Sequence, residues 1–183
     1  MAIAAAPLDA LGAFARRQGT VSWFAACGTP LVAGERGDAF VYAAALGFPE
    51  AAIAPVADWR AAEAIARGDG FTAWRTVEER ERAALLAAGN ARHGFAALMA
   101  ALTRVTAAAS ATTMGAASAA MAREGVADPA LARAAAGAAA QAAYQAALAL
   151  AAESGDHAFA IKFRLFAAGR WPLGIADGRL YLF

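Results

Sequence analysis

Asp128-Pro129 opens a stretch in which most residues are alanine, and that stretch sets the terms for the whole chain. An Asp N-cap followed by proline at the first helical position starts a helix well, because proline has no N–H to leave unpaired there. The alanine-rich run goes on to Gly155, so a helix is predicted from Pro129 to Glu153. Arg133, Gly137, Gln141, Gln145, Ala149 and Glu153 step by four and trace a mostly polar stripe. The remaining surface is methyl groups. Such a helix approaches its neighbours closely, but each contact buries little apolar area. The core must then rest on a few large side chains: Trp23, Phe24, Phe95, Leu98, Leu102, Phe163, Phe166 and Trp171.

Alanine also explains a misleading hydropathy. It makes up roughly a third of the 183 residues, and the mean hydropathy is positive. Yet no stretch of about 18 residues is both uncharged and rich in large apolar side chains, as a membrane span requires. The nearest candidate, 134–152, carries Gln141 and Gln145 and reads as a buried helix. The opening MAIAAAPLDALGAFARRQG has no basic n-region and is broken by Pro7 and Asp9, unlike a signal peptide. One cysteine excludes an internal disulfide framework and suits a reducing compartment, so a cytoplasmic location without membrane contact is expected. A net charge of +1 gives no overall pull toward nucleic acid. Of sixteen basic residues only Lys162 is lysine, as a GC-rich coding sequence would produce.

The expected fold is α+β and predominantly α-helical, an Ala-rich helix bundle with a small N-terminal strand region and a C-terminal β-hairpin. Residues 1–183 are expected to form a single domain: a mixed part over 1–70, a helical bundle over 71–155, and a helix plus hairpin over 156–183. Leu8 to Arg17 reads as a short helix ended by Gly19. Thr20 to Ala26 reads as a strand, from its β-branched and aromatic residues. Asp38 is placed to cap a segment over 39–46, helix or strand, and Asp58 to cap a helix over 59–67. Thr76 and Glu79 have the spacing of a capping box, which predicts a helix from there to Ala88 with Gly89 as its stop. A helix over 91–110 follows, with Phe95, Leu98, Leu102 and Val105 on one face, and another runs from Thr112 or Thr113 to Gly125. Phe159, Phe163 and Phe166 suit one helix face, capped by Asp156 and closed by Gly169, although the segment also alternates as a strand would. Asp177-Gly178 between apolar runs predicts a hairpin of 171–175 with 179–183.

Catalytic motifs are absent: the sequence has no phosphate-binding or dinucleotide glycine pattern and no zinc-protease helix. Cys27 follows the expected strand and precedes Gly28, where a thiolate could act as nucleophile with His93 or His157 as base. The competing account makes Cys27 a small buried hydrophobe. No metal site and no cofactor are expected, since one cysteine and two histidines match no ligand spacing. The run Glu78-Glu79-Arg80-Glu81-Arg82 reads as a solvated helix face. Arg164, Arg170 and Arg179 are anion-binding candidates. The apolar terminus, with Arg170, Trp171, Tyr181 and Phe183, must dock on the helices or on a second copy. The favoured expectation is a non-enzymatic homo-oligomeric protein-interaction domain. The alternative is a small enzyme or small-molecule-binding domain using Cys27, with an apolar pocket around Phe159, Phe163 and Phe166 as a further option.

Overall fold

The computed structural model describes residues 5–183, and the chain is predominantly helical with one small sheet. Among the described residues the helices are α1 (Ala5–Arg17), α2 (Ala33–Ala45), α3 (Trp59–Ala66), α4 (Thr72–His93), α5 (Phe95–Arg123), α6 (Pro129–Ala151) and α7 (Ala158–Ala167). The strands are β1 (Ala52–Pro55), β2 (Pro172–Ala176) and β3 (Arg179–Leu182). This is the α+β, mainly α class expected.

The antiparallel pair α5 and α6 forms the most extensive contact in the molecule. Leu98, Ala101, Leu102, Val105, Ala109 and Ala117 on α5 meet Ala135, Ala139, Ala142, Ala143 and Ala147 on α6, all buried. Methyl-sized side chains on both faces allow that approach. Asp128 caps α6 as expected, accepting from Ala130 N at 2.8 Å and Leu131 N at 3.0 Å. The outer side of α5 has no cover. Ala107, Ala111, Gly115 and Ala119 step by four along it, all exposed. Among the described residues α5 alone is long and apolar enough to cross a membrane, and 28% of its most apolar window is buried.

The sheet has the order β1-β3-β2, so the last strand of the chain lies in the middle. β3 pairs antiparallel with β2 through the expected Asp177-Gly178 turn, where both residues have positive φ (51° and 68°), and parallel with β1. Ala52 N donates to Gly178 O and Val56 N to Leu182 O, each at 2.9 Å. By alternation Ile53 and Pro55 turn their backbone outward, and proline has no N–H to offer another strand there. Gly174 belongs to β2 because a Cβ would lie 2.7 Å from the Phe71 ring and 2.8 Å from Trp74.

Several local signals yield to packing. The segment Thr20 to Ala26 is not a strand. It is a succession of turns with Phe24 at φ 59°, which drives Trp23 and Phe24 into the core. The third strand is instead β1, whose partner sits over a hundred residues away in sequence. Thr76 lies inside α4 and donates to Thr72 O, so its capping box does not form. Gly89 does not stop α4. It makes room for Leu98, whose Cδ2 lies 3.2 Å from where a Cβ would be, and the helix continues to His93. The two helices expected over 91–125 are the single α5, with Thr112 Oγ1 bonded back to Ala109 O inside it. Asp38 is within α2 and pairs with Arg164, and His157 rather than Asp156 caps α7. Phe95 is 61% exposed rather than core.

The terminus docks on its own chain. Phe183 is 1% exposed, its ring 5.0 Å from Trp59, and its backbone pairs with Trp171 in both directions. Trp171 packs 5.9 Å from Trp59 and 6.2 Å from Phe24. Arg170 is buried beside them. It donates to the carbonyls of Ala26, Thr29 (2.8 Å) and Pro30 (2.8 Å) and pairs with Glu35 at 2.9 Å. One guanidinium thus holds the loop before α2 against the end of α7. Arg170→Met should cost about 3–5 kcal/mol, because it removes the counter-ion of the largely buried Glu35 and the donor to the Thr29 and Pro30 carbonyls. The urea midpoint reads this, and a loss below about 1 kcal/mol would show the loop to be held by other contacts.

Candidate functional site

Four helices bring one polar side chain each, and α4 a second, to a single buried point. On α4, Trp74 and Glu78 are four residues apart and both face inward. Leu85 and Gly89 continue that buried face, so Glu78 occupies an apolar stripe while Glu79 and Arg80 turn outward and Glu81 and Arg82 are half-buried. The solvated-face account of this charge run therefore holds for Glu79 and Arg80, in part for Glu81 and Arg82, and not for Glu78. Lys162 comes from α7, Gln145 from α6 and Tyr42 from α2.

The contacts are close and complete. Lys162 Nζ donates to Glu78 Oε1 at 2.7 Å and Oε2 at 2.8 Å, and to Gln145 Oε1 at 3.0 Å. The Tyr42 hydroxyl donates to Glu78 Oε1 at 2.6 Å, and Gln145 Nε2 donates to Oε2 at 3.3 Å. Trp74 Nε1 donates in turn to the Tyr42 oxygen at 2.9 Å, and the Trp74 ring centroid lies 5.1 Å from the ammonium. All three ammonium protons have acceptors. Burial pushes the Lys162 pKa down, opposed by the Glu78 charge. Burial and the adjacent carboxylate hold the Tyr42 hydroxyl protonated well above its ordinary range.

This cluster forms one wall of a cleft of about 400 Å³ between α4, α6 and β2. Trp74, Trp171, Pro172 and Leu173 give it apolar surface, and Arg75, Glu79, Arg82 and Gln141 line its remaining polar part. Glu79 and Arg82 are bonded to each other. Arg75 is exposed and stacks 5.7 Å from the Phe71 ring, and it has no ion pair among the described residues. A wider groove of about 770 Å³ shares Glu79, Arg82 and Gln141 and continues between α4, α5 and α6.

The residues singled out from sequence lie elsewhere. Cys27 is buried, and its thiol donates toward Gly169 O at 3.5 Å and Phe183 O at 3.6 Å. His93 Nε2 lies 2.9 Å from Ala151 O, joining the ends of α4 and α6. His157 Nδ1 accepts from Phe159 N at 3.2 Å, and its Nε2 is 3.6 Å from Glu81. The structure brings neither histidine to Cys27. Arg170, Trp171 and Phe183 are buried within the chain and Tyr181 is half-buried. Arg164 pairs with Asp38 at 2.8 Å, and Arg179 begins β3 on the exposed side. Phe159 and Phe166 are core, and the hollow beside Phe163 is lined by Phe14, Gln18 and Val21 with no hairpin residue. No group of three or more His, Cys, Asp or Glu side chains suited to a metal ion occurs among the described residues. No protein family, curated protein or solved structure matches the chain.

Burial pushes the Cys27 thiol up from 9.0 to about 12, with the nearby Arg170 charge opposing. The folded state keeps a proton that the unfolded chain releases above pH 9. The stability from this group is therefore fully present below about pH 9 and is lost as pH rises toward 12. Cys27→Ala should flatten that part of the stability profile. Iodoacetamide near neutral pH should alkylate Cys27 no faster than the chain unfolds, and rapid labelling of the folded protein would contradict the buried-thiol account.

Proposed function

We propose that the chain is a small-molecule-binding domain whose ligand occupies the cleft beside Lys162 and Glu78. One observation carries this: an ion pair is kept at the wall of a cleft, where an apolar pair of similar volume would often serve stability as well or better. Lys162, a titratable group shifted by burial at a cavity wall, marks a candidate ligand site. The ligand class follows from the lining. Trp74, Pro172 and Leu173 suit an apolar body, and Arg75, a guanidinium without a carboxylate partner, suits an anion. The ligand is a small organic carboxylate with an apolar portion. A cytoplasmic location goes with this proposal, since a lone thiol suits a reducing compartment.

Phenylacetate is a simple probe of that class. Its addition should change tryptophan emission saturably, because Trp74 and Trp171 line the cleft. Arg75→Gln should weaken the binding about tenfold, or about 1.4 kcal/mol. Ala138→Phe, which fills the cleft, should abolish it. No saturation by about 10 mM, a concentration that detects even millimolar affinity, would overturn the proposal.

A second reading is self-association, favoured by the uncovered small-residue side of α5 and by Met114, 40% exposed on the same helix. It relocates the homo-oligomer surface from the C-terminal hairpin to α5. Sedimentation should then show a dimer that Ala111→Arg converts to monomer, and a wild-type monomer at high concentration would remove this reading.

A further inference from the structure

We propose that Lys162 is a nucleophilic amine that condenses with a ligand carbonyl, so that the cleft takes 2-oxo carboxylates and holds them as an imine, with Glu78 carrying the protons. This rests on the cleft being the ligand site and deepens it. Three observations converge on it. The chain has sixteen basic side chains, and arginine fills every one except the position buried against Glu78. An arginine there would supply charge and donors but no amine that can lose its proton and attack. Lys162 lines the cleft together with Glu78 and Gln145, the two residues its amine contacts. The cluster also supplies what imine formation needs: a carboxylate within 2.7 Å and 2.8 Å of the amine, with Tyr42 donating to Oε1 at 2.6 Å to fix it. Tyr42 and Gln145 are positioning residues, since they orient the carboxylate and the amine and need not touch the ligand.

The step balances without a co-reactant. The ammonium passes one proton to Glu78, and the nitrogen lone pair forms a C–N bond to the carbonyl carbon. The carbonyl π pair moves onto oxygen, which takes the proton back from Glu78. A second proton leaves nitrogen for Glu78 and goes on to the hydroxyl, which departs as water while the nitrogen pair closes the C=N bond. Two ammonium protons and the carbonyl oxygen leave together, nothing is oxidised or reduced, and the iminium retains the positive charge. Glu78 therefore faces one cation before and after, so the buried site never holds an unpaired charge. The lowered pKa of Lys162 acts in the same direction, by easing the first proton transfer. Arg75 matches the carboxylate next to the reacting carbonyl.

The chain's single lysine makes the test clean, because the amines available are Lys162 and the α-amino terminus. Phenylpyruvate with sodium cyanoborohydride should add one reduced imine to the intact mass, and peptide mapping should place it on Lys162. Lys162→Met should abolish that adduct. Glu78→Gln, with an unchanged circular dichroism spectrum and with phenylacetate still bound, should slow trapping at saturating probe at least tenfold. Saturable phenylacetate binding with an adduct only at the α-amino terminus overturns the imine while leaving the cleft as a ligand site. Lys162 labelling no faster in the folded chain than in urea also overturns it. Absence of both binding and adduct removes the cleft proposal together with this one.

Discussion

The ion pair between Lys162 and Glu78 is the constraint on which the arrangement of the helices depends. Removing two charges from water costs several kcal/mol for each ion, and only close geometry and further hydrogen bonds offset that cost. The further bonds come from Tyr42, Gln145 and, one step out, Trp74. Because these residues belong to α2, α4, α6 and α7, satisfying the pair fixes the rotation and height of all four helices at once. Apolar contacts between alanine faces tolerate sliding, since one methyl group resembles the next. A carboxylate that accepts four hydrogen bonds from three side chains does not, and a slip of one residue would leave buried charge unpaired.

A second centre secures the chain's end. Phe24, Trp59, Trp171 and Phe183 form an aromatic group in which neighbouring rings pack at 5.0–6.2 Å, two pairs edge-to-face and two tilted. Arg170 then ties the loop before α2 to the same region. The aromatic centre and the ion-pair centre meet at the cleft, where Trp171 and Leu173 face Trp74 and Glu78 across one space. The cleft is thus bounded by rigid groups on both sides. That suits a site that binds a small ligand without a large rearrangement.

Signals confined to a few neighbouring residues were legible. Asp128-Pro129, Asp58 before α3, Asp177-Gly178 and the Phe159–Phe163–Phe166 spacing all act through local backbone geometry, and each appears where the sequence places it. The apolar terminus was legible in the same way, since Phe183 had to find cover. Thr20 to Ala26 misled because strand composition needs a strand partner, and β3 pairs with Ala52–Pro55 instead. Gly89 misled because a glycine that stops a helix and a glycine that admits Leu98 look alike in sequence. Glu78 was within reach: it stands four residues after Trp74 and seven before Leu85, on the apolar side of its helix. It was hidden by four charged neighbours, of which Glu79 and Arg80 face water.

The sequence by itself determined the helical class, the close alanine packing, the final hairpin and the scarcity of lysine. These follow from propensity, periodicity and composition, which are properties of short stretches. Only the tertiary structure decided that the one lysine lies inside, that its carboxylate comes from α4, and that Cys27 and the two histidines stay apart. Residues 42, 78, 145 and 162 meet through helix packing over separations of 17 to 84 residues for their direct contacts. No local rule spans that distance, because the choice of which polar groups meet is made by the whole core and not by any one helix.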